Sequence, residues 1–288
     1  MKNSLIIICL FYMGTLYAQQ PIVVSVWPSG PKESNEVTEE PQLTDQWMQG
    51  NNEAILEIYT PESSKNKGIA VIICPGGAYA GLAIDHEGKM MAEWFNTQGI
   101  TGVVLKYRMP NGHPEIPLTD TRETMRILCR MSEQLKIDTT RIGVVGSSAG
   151  GHLASTFATH VKEGEPLPAF AILFYPVITM KDSYTHHGSR QNLLGDNRDP
   201  KLLSAYSNEL RVSEKTPPTL LLLSDDDKAV HPMNSILFYQ YLKFYGIKSS
   251  MCIFPVGEHG WGFRDSFKYL ENCQDLIAKW IEDVVAEK

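Results

Sequence analysis

Hydrophobic and polar residues follow two different patterns along this chain of 288 residues. Residues 22–27 form a short apolar run, and residues 54–59 alternate between apolar and polar positions. Alternation with a period of two is typical of a strand that is buried on one face. We therefore expect these two segments to form the antiparallel edge of a sheet.

Further along, the apolar runs become continuous, which predicts strands that are buried on both faces of a parallel sheet. These runs are residues 69–74, 102–105, 142–145, 170–174, 220–223 and 251–254. Most of them are separated by segments with the spacing of amphipathic helices. These segments are residues 89–97, 118–135, 148–160, 233–245 and 266–286. The alternation predicts an α/β fold, a doubly wound and mostly parallel sheet with helices on both faces.

Residues 180–216 interrupt this alternation, because they are polar and hold no strong strand pattern. They lie between two predicted strands, so we expect a short insertion over the carboxyl edge of the sheet, where ligands bind in such folds. No second domain boundary stands out, and we expect one α/β domain over residues 19–288.

The first residues predict a secretory signal peptide. Lys2 precedes an apolar segment, residues 5–17, which is too short to span a bilayer, and Ala18 is a small residue suited to cleavage. We expect residues 1–18 to be removed near Ala18, and the protein to be exported to the periplasm or the medium with no membrane attachment afterwards.

Charge and cysteine content limit the binding partners, metals and disulfides that the sequence predicts. The formal net charge is −7 with no basic cluster, which excludes nucleic acid and anionic membranes as expected partners. The spacing of the four cysteines after residue 18 fits no zinc site, and we expect neither a metal nor a cofactor. Export permits disulfides, but buried free thiols fit the pattern equally well. These cysteines are Cys74, Cys129, Cys252 and Cys273. The sequence leaves the oligomeric state open.

One motif stands at the centre of the chain. Residues 146–150, Gly-Ser-Ser-Ala-Gly, match G-x-S-x-G with Ser148 in the middle, between a predicted strand and a predicted helix. Such a turn holds the serine in a strained conformation at a helix N-terminus and exposes its hydroxyl as a nucleophile. The alternative is a buried serine in a glycine-rich turn.

A serine nucleophile needs a base and an acid, which follow it in the order Ser, Asp or Glu, His in this type of fold. His259 lies in a glycine-containing loop after the last predicted strand and is the candidate base. His231 is the second choice, although it precedes that strand.

The candidate acid lies in a run of three aspartates, Asp225, Asp226 and Asp227, after the strand at residues 220–223. Three adjacent carboxylates cannot all be buried without partners. Asp227 stands three residues before Val230, a D-x-x-V spacing that favours it, and Asp226 remains the alternative.

The oxyanion formed during ester cleavage needs backbone N–H donors. One donor is expected from Ala149, which follows the nucleophile. The loop after the strand at residues 69–74 supplies Gly76 and Gly77, whose lack of a side chain permits close approach of a substrate.

Further motifs are spread over nearly the whole chain after residue 18. They are Trp27-Pro28 with Gly30, residues 74–79, Glu87-Gly88 with Trp94, residues 105–108 with Pro110, residues 146–154, residues 175–177, residues 187–190 with residues 192–195, Asp226-Asp227, Asn234-Ser235, and Gly260 with Gly262-Phe263 around His259. Together they resemble the α/β-hydrolases, and more narrowly the secreted bacterial carbohydrate esterases of the bifunctional acetylxylan esterase/feruloyl esterase type.

The resemblance implies the α/β-hydrolase fold, a triad of Ser148, Asp227 and His259, and an oxyanion hole at Gly76, Gly77 and Ala149. Substrate contacts are expected at Tyr79, His187 and Trp261. His186 is expected either to line the pocket beside His187 or to be solvated.

The implied activity is deacylation of a plant polysaccharide or its oligosaccharides, with acetylxylan as the first expectation and a feruloyl ester as the second. A serine peptidase of the same fold is an alternative, but the segment before residue 69 is too short for the gating domain that such peptidases carry. A non-catalytic carbohydrate-binding protein is the other alternative. The acyl group and the sugar chain length do not follow from the sequence.

Overall fold

The computed structural model describes residues 20–285, so the predicted signal peptide, residues 1–18, lies outside the described residues. Within them, the main sheet has eight strands in the order β1-β4-β7-β5-β8-β9-β10-β11. These strands are β1 (Ile22–Ser25), β4 (Ile55–Tyr59), β5 (Ile69–Cys74), β7 (Ile100–Lys106), β8 (Ile142–Ser147), β9 (Ala171–Phe174), β10 (Thr219–Ser224) and β11 (Ser249–Phe254).

The strand directions agree with the pattern of the sequence. The pairs β1–β4 and β4–β7 are antiparallel, and the pairs from β7 to β11 are parallel. Every residue of β5 and β8 is buried, as continuous apolar runs predict. The last strand differs, because β11 is the edge of the sheet and is only partly buried, with Ile253 39% exposed.

Helices cover both faces of the sheet. The longer helices are α1 (Met90–Thr97), α2 (Glu115–Arg130), α4 (Ser148–Thr159), α7 (Met233–Phe244) and α8 (Leu270–Val285). Apolar side chains of α2, α4 and α7 pack in one hydrophobic cluster, and apolar side chains of α1 and α8 pack in a second cluster on the opposite face. This arrangement is the α/β-hydrolase fold.

Two helices differ from the prediction by more than one residue. The helix expected over residues 118–135 begins three residues earlier and breaks at Met131, and the short helix α3 (Ser132–Leu135) follows. The last helix begins at Leu270, because residues 261–269 form the turns that follow His259. A π-helical turn, Asp85–Lys89, precedes α1 and was not predicted.

The expected insertion after β9 contains two short helices, α5 (His187–Leu194) and α6 (Pro200–Ala205), and a 3₁₀ turn, Asn208–Arg211. Asn208 joins this segment to α4, because its side-chain amide donates to the carbonyl oxygen of His152 at 3.0 Å. The insertion is therefore anchored on the helix that begins at Ser148.

A second, three-stranded antiparallel sheet consists of β2 (Gln42–Leu43), β3 (Met48–Gln49) and β6 (Gly81–Leu82). It joins the N-terminal segment to the loop after β5. Strands of two residues are too short to leave a periodic signal in a sequence.

The four cysteines of the described segment are free thiols, of which Cys74 and Cys273 are buried. Between residues 20 and 285, no helix combines the length and the apolar character that crossing a membrane requires.

Candidate active site

Ser148 occupies the sharp turn between β8 and α4. Its φ is +53°, a left-handed conformation that costs an L-residue free energy. The flanking glycines permit the turn: a Cβ on Gly146 would lie 2.2 Å from the carbonyl oxygen of Gly150, and a Cβ on Gly150 would lie 2.0 Å from that of Cys74. The predicted strained strand-to-helix turn is therefore present.

The structure brings Ser148, His259 and Asp227 together. Nε2 of His259 lies 2.9 Å from Oγ of Ser148, and Nδ1 lies 2.6 Å from Oδ2 of Asp227. An ionised carboxylate can only accept a hydrogen bond, so Nδ1 of His259 carries the proton that faces Asp227. Nε2 is therefore the ring nitrogen that accepts a hydrogen bond from the serine hydroxyl. Because the three residues follow the parallel strands β8, β10 and β11, their side chains meet at one edge of the sheet.

The carboxylates of Asp227 and of the neighbouring Asp226 accept hydrogen bonds from different groups. Oδ1 of buried Asp227 accepts from the backbone N–H groups of Ala229 and Val230, each at 2.9 Å, which explains the D-x-x-V spacing. Asp226 instead accepts from the backbone N–H of Glu258 at 2.8 Å, and it thereby holds the loop that carries the histidine. Asp227 is thus the aspartate that contacts His259.

The other candidate base, His231, takes no part in this arrangement. Its Nδ1 accepts from the backbone N–H of Met233 at 3.1 Å, and its ring packs on Tyr184 at 4.9 Å between centroids.

The predicted oxyanion loop requires one correction. The N–H of Gly76 donates to Oε2 of Glu87 at 2.7 Å, so it is not free for a substrate oxygen, and the prediction of Gly76 as a donor is wrong. Glycine is nevertheless needed there, because a Cβ would lie 2.9 Å from that of Ser148.

Three other backbone N–H groups remain as candidate donors near Ser148. Among residues 20–285, the N–H groups of Gly77 and Ala78 have no acceptor, and both residues line the cleft with Ser148. Ala149 is the second residue of α4, where an N–H has no partner within the helix. Ala78 was not among the predicted donors, and its φ of +55° continues the turn.

Glu87 connects the two loops of the site. Its second oxygen, Oε1, accepts from the hydroxyl of Tyr175 at 2.7 Å, and that hydroxyl accepts from the N–H of Gly262 at 2.7 Å. The ring of Tyr175 packs against that of His259 with 4.8 Å between centroids. Burial and the adjacent Glu87 raise the pKa of Tyr175 well above 10, so its hydroxyl keeps the proton that it donates.

Two of the three predicted substrate contacts are buried beneath the loops. Tyr79 is 2% exposed, and its hydroxyl donates to Nδ1 of His152 at 2.8 Å. Trp261 is 4% exposed; its Nε1–H donates to Oγ of Ser224 at 2.9 Å and its ring stacks on Phe267. Both predictions are wrong, because these side chains point into the core and support the loops from below.

The third predicted contact, His187, is accessible to a ligand and stays a prediction. It is exposed and lines a surface pocket beside the site, whereas the preceding residue, His186, lines the cleft with Ser148. Nothing in the sequence distinguishes the two histidines, since the direction of each ring depends on how α5 packs.

The cleft above Ser148 has a volume of about 570 Å³ and is open to solvent. Side chains of several kinds line it: Trp47, His86, Glu87, His186, His259 and Arg264. Trp47 is 38% exposed and lies over Gly77 and Gly81. In the part of the chain that the structure describes, no group of His, Cys, Asp or Glu side chains could hold a metal ion.

Comparison with known proteins gives consistent results. The BD-FAE family model matches residues 56–242. An acetylxylan esterase of Xylanibacter ruminicola is 36% identical over 245 residues, which are 84% of this chain and 50% of that protein. The endo-1,4-beta-xylanase B of Butyrivibrio fibrisolvens is 32% identical over 66% of this chain and 32% of its own length. The chain thus spans half or less of the length of these curated relatives.

Among solved structures, an acetyl ester-xyloside bifunctional hydrolase from Caldicellulosiruptor lactoaceticus has a TM-score of 0.79 and 35% identity, covering 94% of this chain and 98% of that one. A carboxylesterase from Lactobacillus plantarum has a TM-score of 0.67 and 22% identity, covering 85% of this chain and 96% of that one, a likeness of fold.

Proposed function

The chain belongs to the BD-FAE family, and we propose that it hydrolyses the carboxylic esters of acylated carbohydrates by a serine mechanism. The observation that carries the proposal is the pair of hydrogen bonds on His259, to Ser148 Oγ at 2.9 Å and to Asp227 Oδ2 at 2.6 Å.

In the acylation step, Oγ of Ser148 attacks the ester carbonyl carbon while Nε2 of His259 takes the hydroxyl proton. Asp227 holds the imidazole by its Nδ1–H and stabilises the imidazolium that forms. The negative charge that develops on the carbonyl oxygen is stabilised by the N–H groups of Gly77, Ala78 and Ala149, each worth about 10²–10³ in rate when such donors are well placed.

The tetrahedral intermediate collapses when His259 gives its proton to the departing sugar alkoxide, which leaves an acyl ester on Ser148. A water molecule then loses a proton to the same Nε2 and attacks that ester, which releases the acid and restores the serine hydroxyl. Each step needs only the side chains and N–H groups named above.

The substrate class is proposed from the relatives. One is an acetylxylan esterase and another hydrolyses acetyl esters and xylosides, which favours acetylated xylan or its oligosaccharides. The open cleft and the exposed ring of Trp47 suit a chain of sugar rings better than a narrow acyl tunnel. Feruloyl esters are the second candidate. Export after cleavage near Ala18 would place the enzyme where plant polysaccharide is found.

The test measures release of acetate and ferulate from acetylated and feruloylated xylan oligosaccharides by the wild type and by Ser148→Ala. We expect acetate release that the variant loses, and covalent labelling of Ser148 by a phosphonate ester. Absence of labelling would support the carbohydrate-binding alternative, and faster cleavage of a peptide than of p-nitrophenyl acetate would support the peptidase alternative.

A further inference from the structure

We propose that His186 binds the sugar part of the substrate, by donating a hydrogen bond from Nε2 to a hydroxyl group on the alcohol side of the ester. This proposal rests on the function proposed above and adds to it a residue that determines specificity.

The hydrogen bonds of His186 define its tautomer. The residue immediately precedes α5, and its Nδ1 accepts from the backbone N–H of Ser189 at 3.2 Å. Because a backbone N–H can only donate, Nδ1 carries no proton. The hydroxyl of Ser189 lies 2.8 Å from the same nitrogen and can donate to it as well. In the neutral ring, the proton is therefore on Nε2.

The ring is neutral at pH 7. Burial, and the neighbouring His259 next, lower the pKa of His186 below the ordinary value of 6.5. A neutral ring whose Nδ1 is occupied presents one donor, Nε2–H, which has no acceptor among the described residues. A half-buried donor of this kind gains free energy when a ligand supplies an acceptor.

The position of His186 suggests which ligand that is. The residue lines the cleft of Ser148 and also an adjoining surface pocket of about 490 Å³. His259 must protonate the departing alkoxide, so the alcohol lies beside its Nε2. His186 and His259 line the same cleft. We therefore expect the sugar whose alkoxide is protonated by His259 to extend toward His186.

The adjoining pocket has the lining that a carbohydrate needs. The rings of Tyr184 and His231 lie 4.9 Å apart there, and Lys228 adds a further donor. Aromatic surface with a few polar groups is typical of sites that bind small polar ligands. A second sugar unit of an oligosaccharide would occupy this pocket, with His186 at the junction.

The test uses His186→Asn, because asparagine is a good N-cap and can still accept from the Ser189 N–H, whereas its shorter amide does not reach the cleft. The measured quantity is the ratio of kcat/KM for an acetylated xylo-oligosaccharide to kcat/KM for p-nitrophenyl acetate, whose alcohol carries no sugar hydroxyl. We expect this ratio to fall about tenfold, the effect of one lost hydrogen bond to the substrate.

His186→Ser, which also keeps the cap, should lower the ratio equally, and the matched variant His113→Asn, at an exposed loop histidine, should leave it at the wild-type value. An unchanged ratio in both His186 variants, or an equal loss on both substrates, would overturn the proposal. If the wild type cleaves p-nitrophenyl acetate but no sugar ester, this result contradicts the proposed function itself, and the proposed role of His186 is then excluded as well.

Discussion

Glu87 accepts a hydrogen bond from the backbone N–H of Gly76 at 2.7 Å, and this contact removes one expected donor from the oxyanion hole while fixing the loop that carries the others. The same carboxyl group reaches the loop of His259 through Tyr175 and Gly262. Both loops of the candidate active site are thus connected to one buried side chain on the π-helical turn before α1.

The first prediction concerns Glu87→Gln. The Gly76 N–H and the Tyr175 hydroxyl donate to different oxygens of Glu87, and glutamine keeps an oxygen at only one of these positions, so its NH2 group faces one of the two donors. We expect kcat to fall more than KM rises, because the two loops lose their common support. The free energy of unfolding, measured by urea titration, should fall by about 1.5–3 kcal/mol.

Glu93→Gln is the matched control, since Glu93 is half-exposed and its pairing with Lys89 at 3.9 Å is a surface contact. Such pairs contribute at most about 1 kcal/mol. Equal kinetics and equal stability in the two variants would contradict the connecting role of Glu87.

The second prediction separates the aspartates. Asp227→Asn should lower kcat by about 10⁴-fold, because the amide disfavours the ring tautomer that the serine needs. Asp226→Asn should have a much smaller effect, since Asp226 holds only the Glu258 N–H. Exposed Asp225→Asn serves as the control. A larger loss in the Asp226 variant would reassign the acid.

The third prediction follows from the backbone at Ser148. Because φ is +53°, Ser148→Gly should be more stable than Ser148→Ala by about 1 kcal/mol, although neither variant is active. Calorimetry should show a Tm for Ser148→Gly that is about 2–4 °C higher than the Tm of Ser148→Ala.

The adjacent Ser147 provides the comparison, because its φ of −116° suits any residue. At that position, glycine should be less stable than alanine. The same order at both serines would mean that the left-handed turn stores no strain.

The fourth prediction concerns pH. Burial lowers the pKa of His152 to about 4, because the charged ring would lie in the core, and burial also lowers the pKa of His160 to about 4. The unfolded chain therefore takes up protons first as pH falls below 6.5, and stability is lost between pH 6.5 and about 4.

Urea unfolding at pH 7.5 and pH 5.5 measures this effect. The free energy of unfolding should be lower at pH 5.5 by about 1 kcal/mol or more, before most carboxylates titrate. Equal stability at the two values would mean that His152 is protonated in the folded protein.

The strands and the turn at Ser148 were predictable, because each depends on a local pattern of residues. Continuous apolar runs mark β5 and β8, and the glycines at 146 and 150 are required by contacts within a few residues or with the adjacent strand. The order of Ser148, Asp227 and His259 along the chain predicted which side chains meet.

The parts of the site that were missed depend on tertiary packing. Glu87 is one carboxylate among many in the sequence, and only the position of the π-helical turn brings it to Gly76. Tyr79 and Trp261 look like substrate contacts because they flank the predicted loops, but their rings turn into the core. The choice between His186 and His187 depends on the rotation of α5, which a polar segment does not encode in its periodicity.

The four free thiols have a practical consequence for how this protein folds. No disulfide restricts the unfolded chain between residues 20 and 285. The stabilisation of about 3 kcal/mol that one disulfide typically contributes to folding is therefore absent. Two hydrophobic clusters against one sheet carry the fold instead. Production in a reducing cytoplasm and activity assays with added dithiothreitol should therefore leave the folded state unchanged, whichever compartment the chain reaches in its own cell.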